Sequence, residues 1–255
     1  MTQGILLTAN VTESFMIKGI FKFSVLGQEV WITTTHVCIL IVMLILMIFA
    51  LCANRAMKKA KEVPGGFQNL VELIVEKLDG MVSSTMGEHA AAWRNYIGTI
   101  FIFILVSNIS GILGLRPPTA DYGVTLPLGI LTFTLIHVTQ FRTTKLTTVW
   151  KDMCSPLPAW LPIWLPINII SEIAVPISLS LRLFANVLSG TIMMALVYGL
   201  MGLIATAWPA ALHVYFDLFS GAIQTYVFCM LTMTYIGNAY GDRPSRKERK
   251  SAKAS

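Results

Sequence analysis

From Ile32 to Ala53 the chain runs for 22 residues without a Lys, Arg, Asp or Glu. As a helix, such a run reaches across the hydrocarbon core of a bilayer, about 30 Å thick. Backbone amides in lipid must bond within their own segment, so this feature commits the chain to helical spans. The rest of the composition agrees: 55% of the residues are hydrophobic and 13% charged, where a soluble domain carries about 25% charged residues. A disordered chain is excluded, and a water-soluble enzyme does not fit. The run is too long and too far from Met1 for the core of a cleavable signal peptide, so none is expected. A formal charge of +6 does not indicate nucleic acid, because the basic residues sit between and beyond the apolar runs, where membrane topology requires them. Cys38, Cys52, Cys154 and Cys229 show no CxxC spacing. They read as small hydrophobes, with no disulfide framework, metal site or cofactor expected.

The basic residues orient the chain. Arg55, Lys58, Lys59 and Lys61 follow the first span (32–53) and belong in the cytoplasm, which leaves residues 1–31 external. In 67–82, Phe67, Leu70, Val71, Ile74, Leu78 and Met81 recur at helical spacing, with Glu72, Glu76 and Asp79 among them. This predicts an amphipathic helix at the cytoplasmic face, lying in the interface, against a partner or on its own protein. A helical hairpin over 96–140 comes next, turning outside at the Pro117-Pro118 loop and returning to Arg142, Lys145 and Lys151. Between Asp152 and Tyr240 the only Lys or Arg is Arg182, and a basic tail (242–255) closes the chain. Two crossings therefore fit 155–240, turning near Pro209. The run from Pro166 to Ala205 would be about 60 Å long if helical, so this hairpin must tilt or kink, with Pro176 a candidate kink. The expected fold is an all-α polytopic membrane protein of about five crossing helices with an interfacial amphipathic helix, in a single domain spanning 1–255. Trp31 and Trp208 fall at outer boundaries; Trp93, Trp150, Trp160 and Trp164 fall near inner ones, as aromatic belts do.

Three charges lie inside the long hairpin: Glu172, Arg182 and Asp217. An arginine at mid-bilayer costs about 2.5–3.5 kcal/mol on insertion scales, and such residues face a protein interior or water. The topology orders them in depth, with Glu172 in the inner half, Arg182 deeper and Asp217 in the outer half. A carboxyl group exchanges protons and an arginine does not. Acid, arginine, acid thus reads as entry, barrier and exit for an ion. The plain alternative is a buried ion pair of Arg182 with Glu172 or Asp217 that only fixes packing. Ser178, Arg182, Asn186 and Ser189 share one helical face, and Asp217, Gln224 and Thr225 share another. His36, His89, His137 and His213 show no metal spacing, and no HExxH or Gly-x-Ser-x-Gly occurs.

The stretch Pro176-Ile-Ser-Leu-Ser-Leu-Arg182-Leu-Phe-Ala-Asn186 resembles the signature of the a subunit of F-type ATP synthases. Pro118-Thr119-Ala120-Asp121 with Val124-Thr125-Leu126, and Gln224 to Thr232, are similar to further stretches of that family. The resemblance covers about 55–239. It implies the stator half of a rotary motor in a bacterial plasma (inner) membrane, N-terminus outside and C-terminus cytoplasmic. The partners it implies are a ring of c subunits, b-type peripheral stalk subunits, the remaining synthase subunits and membrane lipids. Arg182 matches the essential arginine; Asn186 and Gln224 match polar residues beside it. Asp217 matches a position on the external ion path, Glu172 resembles an acidic position near the cytoplasmic exit, and Asp121 and Ser178 lie in the matching stretches. Thr191 and Asn168 stand where many relatives carry acids, which leaves the proton or sodium choice open. No Gly-x-x-x-x-Gly-Lys-Ser/Thr occurs, so nucleotide catalysis would lie in other subunits. A stand-alone ion-coupled transporter is the competing reading; it predicts internal repeats, and none is evident.

Overall fold

The computed structural model describes residues 19–25, 28–58, 65–113, 116–143, 164–201, 212 and 214–240. Lys59 and Lys61, Lys145 and Lys151, Trp150 and Trp160, Cys154, the turn at Trp208-Pro209 and the basic tail lie outside the described residues. Five helical stretches are long and apolar enough to cross a membrane: Thr34–Lys58, Gly66–Ile112, Tyr122–Thr143, Ile170–Val197 and Val214–Ala239. The helical polytopic class holds. It is preceded by an antiparallel β-hairpin, β1 (Gly19–Val25) and β2 (Gln28–Thr33), paired from Gly19–Thr33 to Val25–Gln28. The sequence reading assigned this segment no secondary structure.

Helix α1 (Thr34–Lys58) carries Arg55 and Lys58 in its last turn, where cations complement the helix dipole. Its buried residues, Thr35, Cys38 and Val42, lie near its start, and Leu40, Met47 and Leu51 are exposed, as on a lipid-facing helix. The amphipathic segment forms α2 (Gly66–Met86). It ends at Gly87, whose φ of 53° is open to glycine and strained for other residues. After a 3₁₀ turn, α3 (Ala90–Ile109) runs back along it. Leu78 touches Gly98, and Asp79 pairs with Arg94. Of the placements the sequence allowed for α2, the structure has it packed on its own chain, against α3 and α6.

Helix α4 (Tyr122–Thr143) contains Pro127, which supplies no N–H for the bond that this position would otherwise make to the Gly123 carbonyl. It buries Thr125, Gly129, Thr132 and Thr139, a face of small and hydroxyl residues that lets a neighbour approach closely. The neighbour is α5 (Trp164–Met201), in which Pro176 is internal. A Cβ at Gly129 would stand 2.6 Å from the Pro176 carbonyl oxygen, so the contact requires glycine there. With 38 residues, α5 is about 57 Å long and exceeds a bilayer's apolar thickness. A π-helical segment (Val214–Ser220) leads into α6 (Gly221–Ala239). Helix α6 is the hub. It touches α2, α3, α4 and α5, and its Phe228, Cys229, Met233 and Ile236 share a core with Ile97, Ile100 and Ile104 of α3 and Leu179 and Leu183 of α5. Its C-terminal end is fastened by Trp93 Nε1 donating to Tyr240 Oη at 2.9 Å and by His89 stacked on the Tyr240 ring.

Candidate functional site

The long helix presents two faces. Pro176, Leu179, Ser180, Leu183, Gly190 and Met194 point into the bundle, whereas Ile177, Ser178, Leu181, Arg182, Ala185 and Ser189 are exposed. A bare guanidinium on an apolar helix face calls for a counter-charge, yet among the described residues no carboxylate pairs with Arg182. The two acids the sequence offered it are engaged elsewhere. Glu172 faces His137 of α4, Oε2 to Nε2 at 3.5 Å. Asp217 lies in the π-helical segment with its carboxyl group against the backbone of Gly111, where a Cβ would come within 3.1 Å of it. Among the described residues, neither acid forms an ion pair with Arg182.

The neighbouring polar residues divide. Asn186 turns partly inward, and its Oδ1 accepts from Ser220 Oγ at 3.2 Å, so it leaves the fully exposed line of Ser178, Arg182 and Ser189. Gly190 meets Phe216 one turn further along. Helix α5 and the last element thus run antiparallel in steps of four, and the next step puts Gln224 level with Arg182. Gln224 is buried, and its Nε2 has no hydrogen-bond partner among the described residues. A buried amide donor left open is costly unless something else occupies the site.

At the end of the bundle where α3 stops and α6 begins, Asn108 of α3 organises a closed polar node. Its Nδ2 donates to the Gly221 carbonyl (3.0 Å) and to Thr225 Oγ1 (3.2 Å), while its Oδ1 accepts from Thr119 Oγ1 (2.7 Å). Asp121 has an architectural contact, its Oδ1 accepting from Gly123 N–H at the start of α4. At the opposite end of the bundle, Glu172, His137, Gln140, Tyr235 and Asn238 line a cavity of about 200 Å³. Thr191, which stands in place of an acid, donates to the Leu188 carbonyl of its own helix at 2.8 Å.

Of the residues the sequence named, Glu172 meets His137, Asp217 lies against Gly111 and Gln224 is buried; Asn108, His137 and Tyr235 were not among its candidate site residues. An asparagine inside an otherwise apolar span is the signal that marked Asn108, since buried amides in lipid require partners. His137 has no metal spacing in the sequence, and only the fold brings it to Glu172.

Residues 36–237 match the family model described as ATP synthase A chain. A Propionigenium modestum protein named ATP synthase subunit a, sodium ion specific, is 34% identical over 213 residues, covering 77% of this chain and 71% of its own. The ATP synthase subunit a 3 of Pelobacter propionicus is 35% identical over 197 residues, covering 77% and 82%. The ATP synthase subunit a of Priestia megaterium is 32% identical over 210 residues, covering 76% and 86%. The chain belongs to the ATP synthase A chain family, the membrane-embedded a subunits of F-type ATP synthases.

Proposed function

We propose that Arg182 is the electrostatic barrier between two offset half-channels of this stator, and that the exposed face of α5 runs against a ring of c subunits carrying ion-binding carboxylates. The observation that supports this most is the exposed guanidinium with no carboxylate partner among the described residues, on a face of small and apolar side chains. A rotor carboxylate passing Arg182 is favoured in its ionised form, as any acid is beside a fixed cation, and so it gives up its ion on one side before loading on the other. Because Arg182 does not deprotonate, no proton hops directly between the half-channels.

Ions enter from outside along Asp217 and leave to the cytoplasm along Glu172, with Gln224 and Asn186 shaping the site beside the arginine and Ser178 lining the sliding face. Asp121 holds the first turn of α4 at the outer path. One charge crossing 100 mV yields about 2.3 kcal/mol, so several transfers must be summed by rotation for each ATP. Catalysis on nucleotide belongs to other subunits, and b-type stalk subunits hold this chain against the torque. The N-terminus lies outside a bacterial plasma membrane, with the C-terminus in the cytoplasm.

The test is Arg182→Ala in the whole complex reconstituted in vesicles. ATP-driven ion pumping is lost while the detached soluble head still hydrolyses ATP. Normal coupled pumping by the variant would reject the assignment.

A further inference from the structure

The cavity at Glu172 contains more than a single acid. His137 Nδ1 lies 3.0 Å from the carbonyl oxygen of Phe133, one turn back on α4. A carbonyl only accepts, so Nδ1 carries a hydrogen, and the Nε2 of a neutral ring is then a bare lone pair. That Nε2 faces Glu172 Oε2 at 3.5 Å. A lone pair against a carboxylate oxygen repels it, whereas one proton on either atom makes the contact attractive. The rings of Phe133 and Phe141, with centroids 4.0 and 6.3 Å from the imidazole, hold it in place. The chain itself covers neither side chain fully: Glu172 is 37% exposed and His137 23%. Among the described residues, the titratable side chains on the cavity wall are His137 from α4, Glu172 from α5 and Tyr235 from α6.

We infer that His137 and Glu172 together form a one-proton station on the inner path, with His137 a proton carrier and not a packing residue. This rests on the half-channel reading above and supplies the chemistry of one half-channel. A proton released by a rotor carboxyl group arrives at the pair and forms either an Nε2–H or an Oε2–H bond. That bond then breaks and cavity water takes the proton. No electrons are exchanged, and Nδ1 keeps its hydrogen throughout, so the ring need not turn over.

The experiment uses the reconstituted complex at trace sodium, with pH varied on the cytoplasmic face alone. His137→Ala should slow ATP-driven proton uptake about tenfold, less than a full general acid–base loss because cavity water substitutes in part. Its dependence on cytoplasmic pH should flatten. Imidazole added to that side should restore at least half of the rate in His137→Ala, because the truncation leaves room for it beside Glu172. In His137→Gln, where the amide fills the space, imidazole should restore nothing. Glu172→Gln should abolish the rescue. A wild-type rate and pH profile in His137→Ala, or a loss that imidazole leaves unchanged, would overturn the station. If His137→Ala fails to assemble, the assembled His137→Gln decides, since a wild-type pH profile there also overturns it. Arg182→Ala run in parallel separates the two claims. Coupled pumping by Arg182→Ala sinks the motor reading itself, whereas a silent His137 variant beside a dead Arg182 variant sinks only the station.

Discussion

Two polar regions of this protein lie at membrane depth, and they are built on opposite plans. The node of Asn108, Thr119, Thr225 and the Gly221 carbonyl is buried, and each Asn108 bond closes on another part of the same chain. The face of Arg182 and Ser178 is exposed and leaves its strongest charge without an acid from its own chain among the described residues. Where no water is available to satisfy polar groups, a group that holds the fold must be answered from within. A group left open there implies a neighbour outside the chain. The first plan fastens α3, the Pro118–Ala120 turn and α6 together; the second offers a surface.

The sharpest way to break this contrast is to exchange the outcomes of its two halves. Arg182→Ala should leave expression, assembly and thermal stability near wild type while coupled pumping falls to background. A large loss of stability instead would make Arg182 a structural residue like Asn108. Next in size is Gly129→Val. A Cβ at this position meets the Pro176 carbonyl at 2.6 Å, and overpacking typically costs about 1–3 kcal/mol. The assembled complex should become scarce in detergent extracts, and full yield would show that α4 and α5 are not in close contact. Asp217→Asn should slow ion entry from outside several-fold and flatten the dependence on external pH when protons are carried, with assembly intact. An unchanged rate–pH profile argues against Asp217 as an entry group. The smallest effect belongs to Thr225→Val. It keeps the shape and removes two bonds of the closed node, one accepted from Asn108 Nδ2 and one donated to the Gly221 carbonyl, the first of them worth about 0.6 kcal/mol as a typical hydrogen bond between membrane helices. Melting in detergent should shift slightly downward with pumping preserved; lost pumping with unchanged melting would move Thr225 from the first region to the second.

How much of this was readable beforehand depended on whether the signal lay within one helix. The spans followed from runs of apolar residues, and Arg182 announced itself as the single basic residue of a long apolar stretch. Its exposure on one face, with Ser178 and Ser189, is a property of helical spacing alone. Asn186 departed from that line because Ser220, on another element, draws it inward. His137 and Glu172 sit on different helices, as do Asn108 and Thr225, and neither pair has a spacing that sequence can register. The π-helical segment around Asp217 has no residue pattern that announces it, although π turns do concentrate at functional sites. The fold-back of α2 along α3 depends on Gly87, Leu78 against Gly98 and the Asp79–Arg94 pair. Amphipathic spacing gave α2 its helical form and left open which surface it covers.

Contact with the rotor can be measured directly by placing cysteines on the two faces of α5 and one on the carboxylate-bearing helix of the ring, then oxidising. Ser178→Cys and Ser189→Cys should form disulfides with the ring and halt ATP-driven rotation until reduced, while Leu183→Cys on the buried face should not. Bridges from Leu183→Cys, or none from either serine position in an assembled complex, would contradict the placement of Arg182 at the moving interface.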